Sequence, residues 1–223
     1  MKNLIVIGHP NKDSFCYNGI YKTIYETLNV DGEQIEVIDL YRDEFHSADR
    51  KKLMNSYQDL VTWSDRIYFV SPVWWFRLTP RMEVFFDEVM TPGFAYKFVP
   101  IIGKYAYPKP FLKDKKVRTY ITHGAPAIPV LTLYLNSVKL RLVMGVYTFV
   151  FGWKPSRWFK TKQFWSVPFV SQEKRVKYLK TVRKDVMKDI NKSVVSKKKL
   201  TKKNALLNQD LVEKDLFNSD RNG

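Results

Sequence analysis

The stretch NLIVIGHPNKDSF (residues 3–15) decides the fold class. Its first part, NLIVIG (3–8), is an unbroken apolar run that ends in glycine, which is typical of a strand buried on both faces of a parallel sheet. Its second part, HPNKDSF (9–15), reads as a turn, and apolar residues at helical spacing follow it from Tyr17 to Leu28. The stretch therefore predicts a strand, a loop and a helix, which is the repeating unit of open α/β sheets.

The same alternation of strand and helix continues along the chain. Further strands are predicted at 34–40, 66–73, 117–124 and 147–153, with helical patterns between them. One helix is expected to begin at Thr79 and Pro80, and the last at Ser171. Five alternating strands predict a five-stranded parallel sheet of flavodoxin-like order 2-1-3-4-5 with helices on both faces. Ligands of such sheets bind outside the carboxyl ends of the strands, so the loops after strands one, three and four form the candidate site.

These three loops carry residues that suit an anionic, planar ligand. In HPNKDSFCYN (9–18), Ser14 and backbone N–H groups either hold a phosphate at a helix start or merely cap the helix. In SPVWWFRLTP (71–80), two adjacent tryptophans suit a planar aromatic ligand, although one of them could instead pack under the following helix. In THGAPAIP (122–129), His123 is a candidate acid or base.

Several other sites are not supported by the sequence. There is no glycine-rich dinucleotide fingerprint, no P-loop and no nucleophile elbow. The three histidines and the single cysteine lie far apart in sequence, so no metal site is predicted. One cysteine also fits a reducing compartment, and no secretory leader is recognisable, so we expect a cytoplasmic protein.

The positive charge lies mostly at the C-terminus. The chain of 223 residues has 38 Lys and Arg against 22 Asp and Glu, a formal net charge of +16. Residues 174–223 contain 15 basic and 6 acidic residues, a net of +9, so over half of the excess lies there. Such a run is usually solvated, and it could rest on an anionic membrane surface. Charge alone predicts weak, salt-sensitive contacts, so nucleic acid is an unlikely partner.

The loop sequences resemble a known family. HPNKDSF (9–15), DLYRDEF (39–45) and above all SPVWWFRLTPRMEVFFDEVMTPGFAY (71–96) are similar to the NAD(P)H:quinone oxidoreductases, especially the bacterial and archaeal NADPH-quinone reductases of flavodoxin-like fold. VSQEKRVKYLKTVRK (170–184) resembles the last helix of that family. The resemblance covers about residues 1–190. It divides the chain into a flavin-binding domain at 1–192 and a basic tail at 193–223, which we expect to be mobile or weakly helical.

The resemblance implies a non-covalent flavin, FMN or alternatively FAD, at the three loops. It places the flavin phosphate region against His9, Ser14, Phe15 and Cys16. It places the isoalloxazine ring against Pro72, Val73, Trp74, Trp75 and Phe76, and its pyrimidine end against Thr122, His123 and Gly124.

The activity that the family implies is hydride transfer from NAD(P)H to the flavin and then to a quinone or similar acceptor, with ping-pong kinetics in a homodimer. The alternative is a flavoprotein that serves as a regulatory or ancillary subunit of a membrane transporter, which the basic tail motivates.

Overall fold

A computed structural model describes residues 1–43 and 49–219, with side chains described as far as residue 195. His46 and the end of the DLYRDEF motif lie outside the described residues. The strands in chain order are β1 (Lys2–Ile7), β2 (Gln34–Asp39), β3 (Arg66–Trp74), β4 (Arg77–Leu78), β5 (Tyr96–Ile102), β6 (Tyr105–Pro110), β7 (Lys116–Thr122) and β8 (Thr161–Phe164).

The central sheet has the predicted topology. Five strands pair in parallel in the order β2-β1-β3-β7-β8, which is the flavodoxin-like order 2-1-3-4-5. Residues 4–7 of β1 have no exposed surface, because β1 lies inside the sheet and is covered on both faces. The short β4 pairs antiparallel with the end of β3 as a small hairpin.

Helices surround the sheet, and α1, α2 and α3 each bury one part of their surface and expose the rest. They are α1 (Lys22–Val30), α2 (Arg50–Trp63), α3 (Pro80–Glu88), α4 (Ala127–Leu131), α5 (Ser137–Leu140), α6 (Thr148–Phe151), α7 (Pro155–Lys160) and α8 (Gln172–Ser219). A π-helical segment (Phe15–Tyr21) leads into α1, and a second one (Arg141–Tyr147) leads into α6. Helix α3 begins where predicted, with Thr79 before it and Pro80 in its first turn.

The strand predicted at 147–153 is wrong. Residues 141–151 are helical, and Gly152 ends this helix with a φ of 78°. The buried positions 143, 147 and 150, with 142 and 151 beside them, recur at intervals of four and three, which is the spacing of one helix face. Tyr147 on this face stacks on Phe69 of β3 with ring centroids 5.9 Å apart. The actual fifth parallel strand is β8, whose four residues TKQF include two that are only partly buried.

The region between α3 and β7, for which the sequence predicts no strand, contains a β-hairpin. Strands β5 and β6 pair antiparallel in a sheet of their own, separate from the central one. Its base is fixed to the domain, because the Phe111 N–H donates to the Ala95 carbonyl at 2.8 Å and Ala95 is fully buried.

The chain divides into two compact units. The first is Met1–Arg183 and the second begins at Lys184. The predicted boundary at 192/193 stays a prediction, and most of the predicted tail lies where side chains are not described. Within the described residues, every helix is too short or too polar to cross a membrane.

Candidate functional site

The carboxyl ends of β1, β3 and β7 meet at one cleft. It encloses about 400 Å³ and is lined by residues of all three predicted loops: His9, Ser14, Phe15, Cys16, Pro72, Val73, Trp74, Thr122, His123 and Gly124. Trp75 and Phe76 do not line this cleft. They line a second hollow of about 210 Å³, which shares Val73, His123 and Gly124 with the first. The topology of the sheet therefore brings the predicted residues together in two adjoining spaces.

The first loop ends in a capped helix start. Ser14 has an extended backbone, and its Oγ accepts a hydrogen bond from the Tyr17 N–H at 3.2 Å. His9 Nδ1 accepts a hydrogen bond from the Asn11 N–H at 3.0 Å. Burial lowers the pKa of His9 from its ordinary value of 6.5, so this imidazole is neutral at pH 7. His9 therefore adds no charge to this loop, and the positive end of the helix dipole lies at Ser14, next to the charged side chains of Lys12 and Asp13.

The start of α3 packs tightly against the first loop. The Thr79 hydroxyl donates a hydrogen bond to the Gly8 carbonyl at 3.0 Å. A Cβ atom on Gly8 would lie 2.9 Å from this hydroxyl oxygen and 3.1 Å from the Met82 methyl group. Only glycine allows this approach, which fixes the loop after β1 against the loop after β3.

The aromatic residues after β3 form a strained turn. Trp74 pairs with Arg77, and the two residues between them, Trp75 and Phe76, have φ values of 50° and 59°. Positive φ at a bulky residue is a genuine outlier. Trp75 is 92% exposed and Trp74 is 38% exposed. The interpretation that one tryptophan packs under the following helix is therefore wrong, because neither side chain is buried.

His123 lies in a hydrogen-bonded network at the floor of the cleft. The Gln163 amide donates to His123 Nε2 at 3.0 Å and to Asn136 Oδ1 at 2.9 Å. Since the amide nitrogen can only donate, His123 Nε2 accepts and Nδ1 carries the hydrogen. The Trp165 ring stacks on the imidazole with centroids 4.2 Å apart.

Burial lowers the pKa of His123 to about 4. The ring is therefore a neutral hydrogen-bond donor at pH 7 rather than a general base, whose pKa would lie near the working pH.

Cys16 joins the first and third loops. Its Sγ lies 3.1 Å from Thr122 Oγ1, and the thiol is buried. Burial raises the pKa of the Cys16 thiol to about 12, so it stays protonated at physiological pH. The Cys16 thiol therefore packs and hydrogen-bonds between two loops of the cleft, and it is not activated as a nucleophile.

A sequence-family profile described as "Flavodoxin-like fold" matches residues 1–132. These residues contain β1 to β7 and all three loops of the cleft. The chain belongs to this flavodoxin-like fold family. The fold class predicted from the sequence is confirmed by this match and by the order of the strands.

Curated proteins that are similar to this chain carry oxidoreductase names. An uncharacterized NAD(P)H oxidoreductase of Haemophilus influenzae is 26% identical over 139 residues, 56% of this chain and 65% of that protein. The chain thus spans less than two thirds of that relative and about half of two further curated relatives. The sequence predicts a resemblance to the NAD(P)H:quinone oxidoreductases, and these curated relatives confirm it.

Solved structures show the same fold. An NAD(P)H:quinone oxidoreductase from Methanothermobacter marburgensis aligns with a TM-score of 0.61 at 19% identity, over 83% of this chain and 95% of that one. An FMN-dependent NADH-azoreductase from Bacillus anthracis, solved in complex with FMN, aligns with a TM-score of 0.66 at 14% identity, over 84% and 99%. At these identities the likeness establishes the architecture.

This member of the flavodoxin-like fold family also has cleft residues that the sequence analysis missed. They are Asp13, Val167, Pro168 and Arg175. Arg175, in the first turn of α8, donates from Nη2 to the Val167 carbonyl at 3.2 Å. Its Nε is buried and has no hydrogen-bond partner among the described residues. No local pattern marks Arg175, because it is one of many basic residues on a basic helix.

The described residues place no group of three or more His, Cys, Asp and Glu side chains where they could hold a metal ion.

Proposed function

We propose that this protein is a flavin-dependent NAD(P)H oxidoreductase that reduces a quinone or a related small electrophile, with FMN in the cleft and FAD as the alternative. One observation carries the proposal. A capped helix start and an aromatic strand end face one cleft at the carboxyl edge of a flavodoxin-like sheet. The relatives named NAD(P)H oxidoreductases and the FMN complex of a neighbour in fold support the choice of cofactor and donor.

Ser14 and Arg175, which both line the cleft, suit a phosphate group. The first N–H groups of a helix have no carbonyl partner within it, and the helix dipole favours an anion there. Arg175 contributes a fixed positive charge and a buried Nε–H that lacks an acceptor. An anionic oxygen would complete both sets of donors. The carboxylate of Asp13, which also lines the cleft, opposes this attraction, but the Asp13 side chain is exposed and therefore screened by water.

The apolar part of the cleft lining fits a planar ring. Pro72, Val73 and Trp74 provide an apolar wall, and the volume of about 400 Å³ falls in the usual range of cofactor sites. Bound flavin supplies the chemistry of accepting a hydride and passing it on. If neutral His123 faces the bound ring with its Nδ1–H, it would donate a hydrogen bond that stabilises negative charge on that ring.

The second hollow would take the nicotinamide and the acceptor in turn. Its walls include the exposed aromatic rings of Trp75 and Phe76 and the aliphatic side chains of Val130 and Val138. Both substrates are planar and largely apolar at the reacting end, so one apolar hollow beside the ring suits both. Because the nicotinamide and the acceptor would occupy the same hollow, the first must leave before the second binds, and the kinetics would be ping-pong.

A homodimer and a cytoplasmic location belong to the same proposal as predictions from the family resemblance and from the cysteine content. Light scattering during gel filtration measures the oligomeric state. A monomer at working concentration would remove the dimer from the proposal.

The decisive experiment is the absorption spectrum of the purified protein, followed by anaerobic titration with NADPH and NADH. We expect flavin bands that bleach with one or both donors and return when a quinone is added. A colourless protein that binds neither added FMN nor added FAD contradicts the proposal.

A matched pair of variants tests the phosphate end. Arg175→Gln removes the charge and the donors, and we expect the dissociation constant for FMN to rise about 10- to 100-fold, since a hydrogen bond to a charged group contributes about 1.5–3 kcal/mol. Lys177→Gln removes the same charge from an exposed position on α8 that does not line the cleft. Equal FMN affinity of the two variants would show that Arg175 does not bind the phosphate.

A further inference from the structure

The imidazole of His123 is fixed in one orientation by β8 and the turn after it. The His123 N–H donates to the Phe164 carbonyl at 2.8 Å, and the His123 carbonyl accepts from the Val167 N–H at 2.9 Å. The Trp165 ring stacks on the imidazole with an angle of 26° between the two planes. Because His123 is buried, its ring has little room to rotate. The fold therefore decides what each ring nitrogen meets.

The two nitrogens of this ring have different surroundings. Nε2 lies 3.0 Å from the amide nitrogen of Gln163, whereas no described residue forms a hydrogen bond with Nδ1. Nδ1 does not belong to the buried, unpartnered polar atoms of the described side chains, so part of its surface remains accessible. His123 lines both the cleft and the second hollow, which are the spaces open to this atom. A ligand in these spaces therefore meets the Nδ1 edge of the ring.

Gln163 is itself oriented by Asn136. The same Gln163 amide nitrogen donates to Asn136 Oδ1 at 2.9 Å, so both of its hydrogens are used. Asn136 reaches this place from a left-handed turn with a φ of 51°, a conformation that asparagine adopts more readily than most residues. The Asn136 N–H donates to the Val130 carbonyl at 2.7 Å, which fixes the turn. Asn136, Gln163 and His123 thus form a polar chain that ends at the cleft.

We propose that Gln163 is a positioning residue that holds His123 as the Nδ1–H tautomer, so that the cleft presents a hydrogen-bond donor and not a lone pair. Once the Gln163 amide donates to Nε2, a neutral imidazole must carry its hydrogen on Nδ1. Burial lowers the pKa of His123 to about 4, so the ring is neutral at pH 7 and meets this condition.

The consequence for a bound flavin rests on the proposed function. Reduction places negative charge on the isoalloxazine ring. A fixed donor in the cleft stabilises that charge, while a lone pair in the same place repels it. Gln163 lines neither the cleft nor the second hollow, so it acts through His123. We therefore expect the tautomer of His123 to set part of the reduction potential of the flavin.

The first experiment measures the tautomer directly and does not need flavin chemistry. NMR spectra of the full-length, ¹⁵N-labelled protein as purified show which ring nitrogen of each histidine is protonated. The His123→Gln variant identifies the signals of His123. We expect the Nδ1–H tautomer at pH 7. An Nε2–H tautomer overturns the proposal, because both amides of the polar chain are then turned over and Nδ1 offers a lone pair.

Two carboxylate variants separate the tautomer from the added charge. A carboxylate can only accept hydrogen bonds, so Gln163→Glu should move the hydrogen of neutral His123 to Nε2, measured at about pH 9 to keep the imidazole neutral. Asn136→Asp adds the same charge at the next residue of the polar chain but keeps the acceptor for the Gln163 amide, so Nδ1–H should persist.

Either variant can contradict the proposal. An unchanged tautomer in Gln163→Glu would show that residue 163 does not control the ring. If both amides were turned over in the wild type, Asn136→Asp would switch the tautomer. This second variant therefore tests the proposal even where Gln163→Glu fails to fold.

The second experiment measures the midpoint potential of the flavin in the holoprotein at the same pH. We expect Gln163→Glu to lower it by about 30 mV more than Asn136→Asp does, which corresponds to a tenfold change in the two-electron equilibrium constant. Equal shifts would show that the added charge alone acts, and they would overturn the effect on the flavin. A protein that binds no flavin contradicts the proposed function, whereas the Nε2–H tautomer contradicts this inference, so the two failures are distinguishable.

Discussion

Acidification should destabilise this protein through His123. The imidazole is 3% exposed, and burial holds its pKa at about 4, compared with 6.5 for an ordinary histidine. Between these two values the unfolded chain binds a proton at this position and the folded chain does not. The free energy of unfolding therefore falls as the pH falls from 6.5 towards 4, and above 6.5 this group has no effect.

The magnitude follows from the difference between the two pKa values. At 1.36 kcal/mol for each pH unit, the full loss is about 3 kcal/mol, of which about 2–3 kcal/mol appears between pH 7.5 and 4.5. A typical domain is stable by about 5–15 kcal/mol, so the loss is a large part of the total.

The assay compares His123→Gln with the wild type. Glutamine cannot be protonated in this range, so the variant should show a pH dependence that is smaller by about 2–3 kcal/mol, whatever its stability at pH 7.5. Chemical denaturation at a series of pH values gives both curves. His9→Gln serves as the control, because His9 is less buried and its removal should change the slope less. Parallel curves for the wild type and His123→Gln would refute the burial argument, and an NMR titration of the imidazole would show why.

Three further predictions concern stability and reactivity. Lys115→Met should lower the free energy of unfolding by about 2 kcal/mol. The buried ammonium of Lys115 donates to two backbone carbonyls at the end of α2, at 2.5 and 2.8 Å, and methionine cannot. Chemical denaturation of Lys113→Met, at an exposed position, is the control. Gly8→Ala should cost about 1–3 kcal/mol through the clash with the Thr79 hydroxyl, and an unchanged unfolding midpoint would contradict the close approach. Cys16 should resist a thiol reagent at pH 8 in the native protein and react once denaturant is added; rapid labelling of the native protein would show that the thiol is accessible.

The first strand and the site loops are predictable from the sequence because they follow from a local pattern and a general rule. Four consecutive buried apolar residues in β1 require cover on both faces, and parallel strands place their carboxyl ends at one edge. The fifth strand is not predictable in this way. Residues 147–153 have the β-branched and aromatic composition of a strand, yet residues 147–151 are helical, while the mostly polar residues 161–164 pair with β7. Packing against the rest of the domain decides between the two.

The position of Arg175 shows a second limit of sequence reasoning. Its place in the cleft depends on where the chain passes after β8, and the contact with Val167 spans eight residues of loop and helix start. Local periodicity marks α8 as amphipathic but does not say which of its many basic side chains meets the cleft. The missed residue is therefore one whose role arises only from tertiary contacts.

The strained turn at Trp75 and Phe76 connects the fold to the proposed chemistry. Two-residue hairpin turns with positive φ strongly prefer Asn and Gly, since larger side chains are strained there by roughly 1–3 kcal/mol each. Burial does not offset this strain at Trp75, whose side chain is 92% exposed. Both residues line the hollow beside the cleft, and the Phe76 ring lies 4.4 Å from that of Tyr134. This strained, exposed turn supports the proposal that the substrates bind in the hollow, because contact with a planar substrate would stabilise the two rings there.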